Sequence, residues 1–160
     1  VPRSSKPESA VDEKACRVQA LSLLARREHS RLELERKLSA RSFASATVKV
    51  TLDALERSGL LAVERFAESF VRARFLKGQG PLRIRAELAA RGIDDATASG
   101  ALAAGEWDWA DAAKQARTKR FGPAAPDSFA ERARQARFLQ QRGFDAEHVR
   151  VALDIAANSD

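Results

Sequence analysis

The sequence predicts an all-α protein: three tandem three-helix repeats, each helix–turn–helix-like, forming an elongated, curved array. Three observations predict it. A fifteen-residue phrase occurs three times without gaps, as LSARSFASATVKVTL at 38–52, LAARGIDDATASGAL at 88–102 and LQQRGFDAEHVRVAL at 139–153. The copies start 50 and 51 residues apart, and self-similarity at such a period marks a repeat array. Ala, Leu, Arg and Glu fill the segments between the Gly and Pro residues, and the β-branched and aromatic runs expected of strands are missing.

The phrase reads as helix, tight turn, helix. Arg is followed by Gly92 or Gly143 and then a bulky apolar residue, which is a helix stop: Gly takes the left-handed position without a Cβ penalty. Asp94 and Asp145 follow as N-caps of the next helix. The first copy has Ser42 for Gly and Ala44 for Asp, so its turn is expected to be less ideal, with Ser45 capping one position later.

The first repeat (12–63) opens with a helix from near Asp12 to about Arg27, carrying Ala15, Val18, Leu21, Leu24 and Ala25 at helical spacing. Ser30 and Glu33 form a capping-box pattern before a second helix with Leu32, Leu34 and Leu38. A third, with Val48, Leu52 and Leu55, stops at Ser58-Gly59. The second repeat (64–105) places Phe66, Phe70 and Val71 on one helix, broken at Gly78-Gln79-Gly80. Pro81 suits the first position of the next helix, which carries Leu82, Ile84 and Leu88. A short Ala-rich helix follows, weakened by Gly100. The third repeat (106–160) starts at Trp107-Asp108-Trp109, breaks at Phe121-Gly122-Pro123, and is capped again at Asp127 or Ser128 with Glu131 behind. Its last helix runs from Asp145 to about Ala157. The first eleven residues are set apart as a disordered or tag-derived segment. The chain contains no Met, and Val1-Pro2-Arg3-Ser4 reads as the remnant of a cleaved tag.

Composition excludes several classes. With one cysteine, Cys16, no internal disulfide can form, which fits a reduced, cytoplasmic setting. No apolar run approaches the ~20 residues of a membrane span. His29 and His148 sit in no metal-ligand spacing, and no cofactor is expected. Gly78-Gln79-Gly80-Pro81 lacks the ending of a phosphate loop, and Asp94-Asp95 is explained by a helix start. Nothing argues for an enzyme.

The charge is +6, with +4 on residues 1–63, +2 on 64–105 and none on 106–160. This excess fits a polyanionic or acidic partner. The candidate partner- or DNA-binding residues are the second-helix cations Arg31, Arg36, Lys37, Arg83, Arg85, Arg132, Arg134 and Arg137, together with the regular triplet Arg41, Arg91 and Arg142. Each has a plainer reading: a solvated helix face for the first group, a cation offsetting a helix C-terminus for the triplet. Trp107 and Trp109 read as core anchors before interface anchors. Sequence-specific DNA reading is disfavoured, because the central third helix carries no Arg, Lys, Asn or Gln.

The segment ARREHSRLEL at 25–34 resembles the N-terminal signature of the RecX regulatory proteins. RFAESFVRAR at 65–74, followed by Gly78, Gly80, Ile84, Glu87-Leu88 and Arg91-Gly92-Ile93, is similar to their central block. Val63-Glu64 departs from the acidic pair that often precedes the central aromatic of that family. The resemblance covers about residues 15–153. It implies three tandem three-helix repeats and a non-enzymatic modulator of the RecA recombinase; separately, a cytoplasmic monomer is expected. Such proteins bind RecA and its filament on single-stranded DNA, mostly inhibiting its recombinase, ATPase and co-protease activities in DNA repair and the SOS response. The alternative is a helical module that binds DNA directly, without sequence specificity and without RecA.

Overall fold

A computed structural model describes residues 6–157. Nine helices and no strands occur among the described residues: α1 (Lys6–Arg26), α2 (Arg31–Ala40), α3 (Ser45–Arg57), α4 (Val63–Leu76), α5 (Pro81–Ala90), α6 (Asp95–Ala104), α7 (Trp109–Phe121), α8 (Phe129–Gln141) and α9 (Ala146–Ala157). Residues 1–4, read as a tag remnant, lie outside the described residues. α1 begins at Lys6, ahead of the expected start near Asp12. Pro7 falls in its first turn, where a missing N–H breaks no helical bond.

The chain divides into two compact units. The first runs through Phe66 and includes Arg91–Ile93; the second holds Ala67–Ala90 and the chain from Asp94 onward. In the first unit α1, α2 and α3 pack on one another around Cys16, Ala20, Leu23, Leu34, Leu38, Val48, Leu52, Leu55 and Leu61. Full burial of each Leu or Val contributes roughly 1.5–3 kcal/mol. In the second unit α5 packs on α6, while α7, α8 and α9 close around Ala113, Leu139, Phe144, Ala152 and Leu153. Trp107 and Trp109 are half-buried there, with ring centroids 4.7 and 5.3 Å from Phe75. This places them as packing anchors.

The repeated turn has the expected geometry. Gly92 and Gly143 adopt φ of +80° and +96°. Ser42 takes the same left-handed conformation at φ +69°, where its Cβ costs roughly 1–2 kcal/mol. In the first and third copies two backbone bonds close the helix: Ser42 N–H to Ser39 and Phe43 N–H to Leu38, then Gly143 N–H to Gln140 and Phe144 N–H to Leu139. Asp94 caps α6 through the Thr97 amide at 2.7 Å, and Asp145 caps α9 through His148 N–H at 2.9 Å. Ser45 is instead the first residue of α3; Ala44 holds the cap position without a side-chain bond.

Both capping-box patterns form by half. Ser30 and Ser128 accept from the Glu33 and Glu131 amides at 3.1 Å each, so Ser128 and not Asp127 caps α8. The glutamates face elsewhere: Glu33 pairs with Arg27 (3.0 Å) and Arg91 (3.4 Å), and Glu131 accepts from Gln135 (3.1 Å). A charged partner, the two arginines for Glu33 and Arg134 at 3.3 Å for Glu131, outcompetes the return bond to a single amide.

Candidate partner-binding surface

In the repeats that carry most of the candidate cations, the second helix is tied to the third by charge. Arg31 on α2 pairs with Asp53 (2.9 Å) and Glu56 (3.0 Å) on α3 and with Glu35 on its own helix (3.3 Å). Asp53 also takes Lys49 at 3.0 Å. The third repeat reproduces this at equivalent positions, with Arg132 on Asp154 at 2.7 Å and Arg150 on Asp154 at 3.1 Å. The cations hold the Asp53 and Asp154 carboxyls below their ordinary range, Lys49 leading for the first and Arg132 for the second. The middle repeat has Pro81 and Ala103 at the corresponding places; Arg85 bonds Asp95 (2.6 Å) and Ser99 (2.8 Å) instead. Asp95 is thereby accounted for as an ion-pair partner, beside the capping Asp94.

The remaining candidates fall into two sets. Arg83 pairs with Glu87 at 3.4 Å, a carboxylate that Arg74 also holds at 3.0 Å. Arg134 pairs with Glu131 (3.3 Å) and lies over the Phe121 ring at 5.2 Å. Lys37 donates to His29 Nε2 at 2.9 Å, while His29 Nδ1–H donates to the Arg27 carbonyl at 3.0 Å. An ammonium only donates and a carbonyl only accepts, so the ring is the neutral Nδ1–H form. Burial lowers its pKa. In contrast, Arg36, Arg41 and Arg137 are exposed and make no ion pair among the described residues. Arg36 and Arg137 occupy equivalent positions of the first and third repeats.

The triplet is not three copies of one local cap. Arg91 reaches Glu33 at the start of α2, and Arg142 donates to the Lys77 carbonyl at 3.4 Å while stacking over Phe138 at 5.2 Å. In the second unit this belongs to a backbone joint: Gly80 N–H donates to the Arg142 carbonyl (2.7 Å) and Leu82 N–H to the Gly143 carbonyl (2.9 Å). The first amides of α5 have no intrahelical acceptor, so the end of α8 satisfies them.

Arg117 is a residue that sequence reading passed over. It is 1% exposed on α7 and faces no carboxylate; it donates to the Ala124 and Pro123 carbonyls (3.2 and 3.5 Å) and to Gln135 Oε1 (3.3 Å). Burial pulls its pKa down. It holds the turn between α7 and α8. An Arg among helical-face arginines carries no signal of burial before the loop is seen to fold over it.

No group of three or more His, Cys, Asp or Glu among the described residues is placed to hold a metal ion. No described helix is long and apolar enough to cross a membrane.

Three family models match in order: the first three-helix domain of RecX at residues 16–55, the second at 64–102 and the third at 106–153. The chain is 46% identical over 153 residues to the regulatory protein RecX of Halorhodospira halophila, covering 96% of this chain and 95% of that one. It is 48% identical over 134 residues to that of Chromohalobacter salexigens, covering 84% and 88%. The crystal structure of RecX from Lactobacillus salivarius shares the fold, with a TM-score of 0.78 at 22% identity over 92% of this chain and 98% of that one. The repeated helix–turn–helix units and these matches together make the chain a member of the RecX family of regulatory proteins.

Proposed function

We infer that this chain binds the RecA recombinase and its filament on single-stranded DNA, and modulates its recombinase, ATPase and co-protease activities, mostly by inhibition. The observation that carries the reading is relatedness to regulatory RecX proteins through nearly the full chain, with all three domains present in order. The chemistry agrees with a holding role: many of the cations pair with carboxylates, as Arg31, Arg85 and Arg132 do, while Arg36, Arg41 and Arg137 stay exposed without an ion pair among the described residues. The protein acts as a cytoplasmic monomer without a cofactor. The test is co-sedimentation with RecA on single-stranded DNA, paired with RecA-driven strand exchange and ATPase. Co-sedimentation and suppression are expected; neither one occurring overturns the reading.

A second reading, direct DNA binding without sequence preference, is supported by the exposed Arg36, Arg41 and Arg137. It requires DNA affinity without RecA that falls steeply with salt.

A further inference from the structure

The second unit contains a cavity of about 500 Å³ between the end of α4, one face of α7 and the end of α8. Its apolar lining comes from Phe75, Leu76, Ala112, Ala116 and Phe138. Its charged lining is Lys77, Lys119, Arg120 and Arg142, with no Asp or Glu. None of these four cations makes an ion pair among the described residues, on a molecule where most other arginines do. Leu76, beside them, is 77% exposed.

We propose that this pocket receives an acidic segment, carrying one bulky apolar side chain, of the protein that this chain regulates. The proposal rests on the regulatory reading above and gives it a site. Four like charges around a concave apolar surface are complementary to carboxylates flanking an apolar anchor. A nucleobase fits less well, because the aromatic faces are already taken. Phe75 is packed by Trp107 and Trp109, and Phe138 by Arg142 and, in a T-shaped pair at 5.2 Å, by Phe121. What remains is aliphatic surface and ring edges, which suit a side chain rather than a stacked base.

The pocket carries its own reporter: the chain's two tryptophans both touch Phe75. The experiment titrates the full chain with a short synthetic peptide bearing a central Phe between Glu and Asp residues, reading Trp emission. A saturable change is expected, abolished when Gly replaces the peptide's Phe and weakened by about tenfold or more in the double variant Lys119→Glu/Arg120→Glu. Both positions are exposed, and circular dichroism and melting verify that the variant folds. No saturable change, equal binding by the double variant, or displacement of the peptide by oligo-dT overturns the proposal. Strand exchange separates the two readings. If the wild-type and double-variant proteins inhibit RecA equally, the pocket fails and the regulatory reading stands. If the peptide binds the pocket but RecA is unaffected, the regulatory reading fails and the pocket stands.

Discussion

Gly80 and Gly143 meet backbone to backbone. The Gly143 carbonyl lies where a Cβ on Gly80 would be, and the Phe144 amide would be only 2.5 Å from that Cβ. A Cβ on Gly143 would in turn sit 2.5 Å from the Arg83 backbone nitrogen. Gly80→Ala and Gly143→Ala are therefore expected to destabilise by about 1–3 kcal/mol each, the second also through its positive φ. Gly100, inside α6, has open space around its missing Cβ; Gly100→Ala is expected to stabilise by about 0.5–1 kcal/mol. Urea denaturation of the three variants checks the contrast in sign.

The first repeat turns at Ser42 without a capping side chain at Ala44. Ser42→Gly removes left-handed strain at an entropic cost in the unfolded chain, for a net gain of up to about 1 kcal/mol. Ala44→Asp supplies the cap that Asp94 gives α6, worth about 1 kcal/mol. The two melting shifts together should bring this turn to the design of the other two.

Stability should depend on pH in two windows. His29 is neutral in the fold and its pKa lies below 6.5, chiefly through burial. The unfolded chain then binds more protons near that pH, so this contribution is full above 6.5 and is lost as pH falls toward the folded value. Asp53 and Asp154, depressed by their cations, contribute above 3.8 and lose that contribution as pH falls through their folded values. Urea midpoints between pH 7 and 3 should show both declines, and His29→Gln should flatten the first.

Arg117→Lys is expected to cost about 2 kcal/mol or more, because one ammonium cannot reach three acceptors that a planar fork spans. Limited proteolysis should report faster cleavage in the turn between α7 and α8.

Arg36→Glu with Arg137→Glu is expected to leave the melting curve unchanged and to weaken RecA or DNA association by about tenfold. Arg83→Ala with Arg85→Ala should lower the melting temperature, since Arg85 ties α5 to Asp95 and Ser99 and Arg83 pairs with Glu87. Sedimentation with RecA filaments and thermal melting, run on both double variants, separate contact from scaffold.

The sequence by itself determined the helices, their breaks and the repeat, because helix stops and caps act within about five residues of chain. Gly92, Gly143, Asp94 and Asp145 announce their roles to anyone reading their neighbours. The family was legible for the same reason, through contiguous blocks at 25–34 and 65–74. Local pairs such as Arg83 with Glu87 follow helical spacing, but tertiary structure alone decided the charge contacts between distant segments. Glu33 has the spacing of a capping box, yet arginines from outside its helix take its carboxylate. Arg142 reads as a helix-end cation, yet it bonds a carbonyl 65 residues away. Arg117 and the cations around Phe75 and Phe138 look like ordinary surface charge until the helices meet. Long, flexible charged side chains take whichever partner lies within a few ångströms, and that depends on packing between distant segments, which local periodicity does not encode.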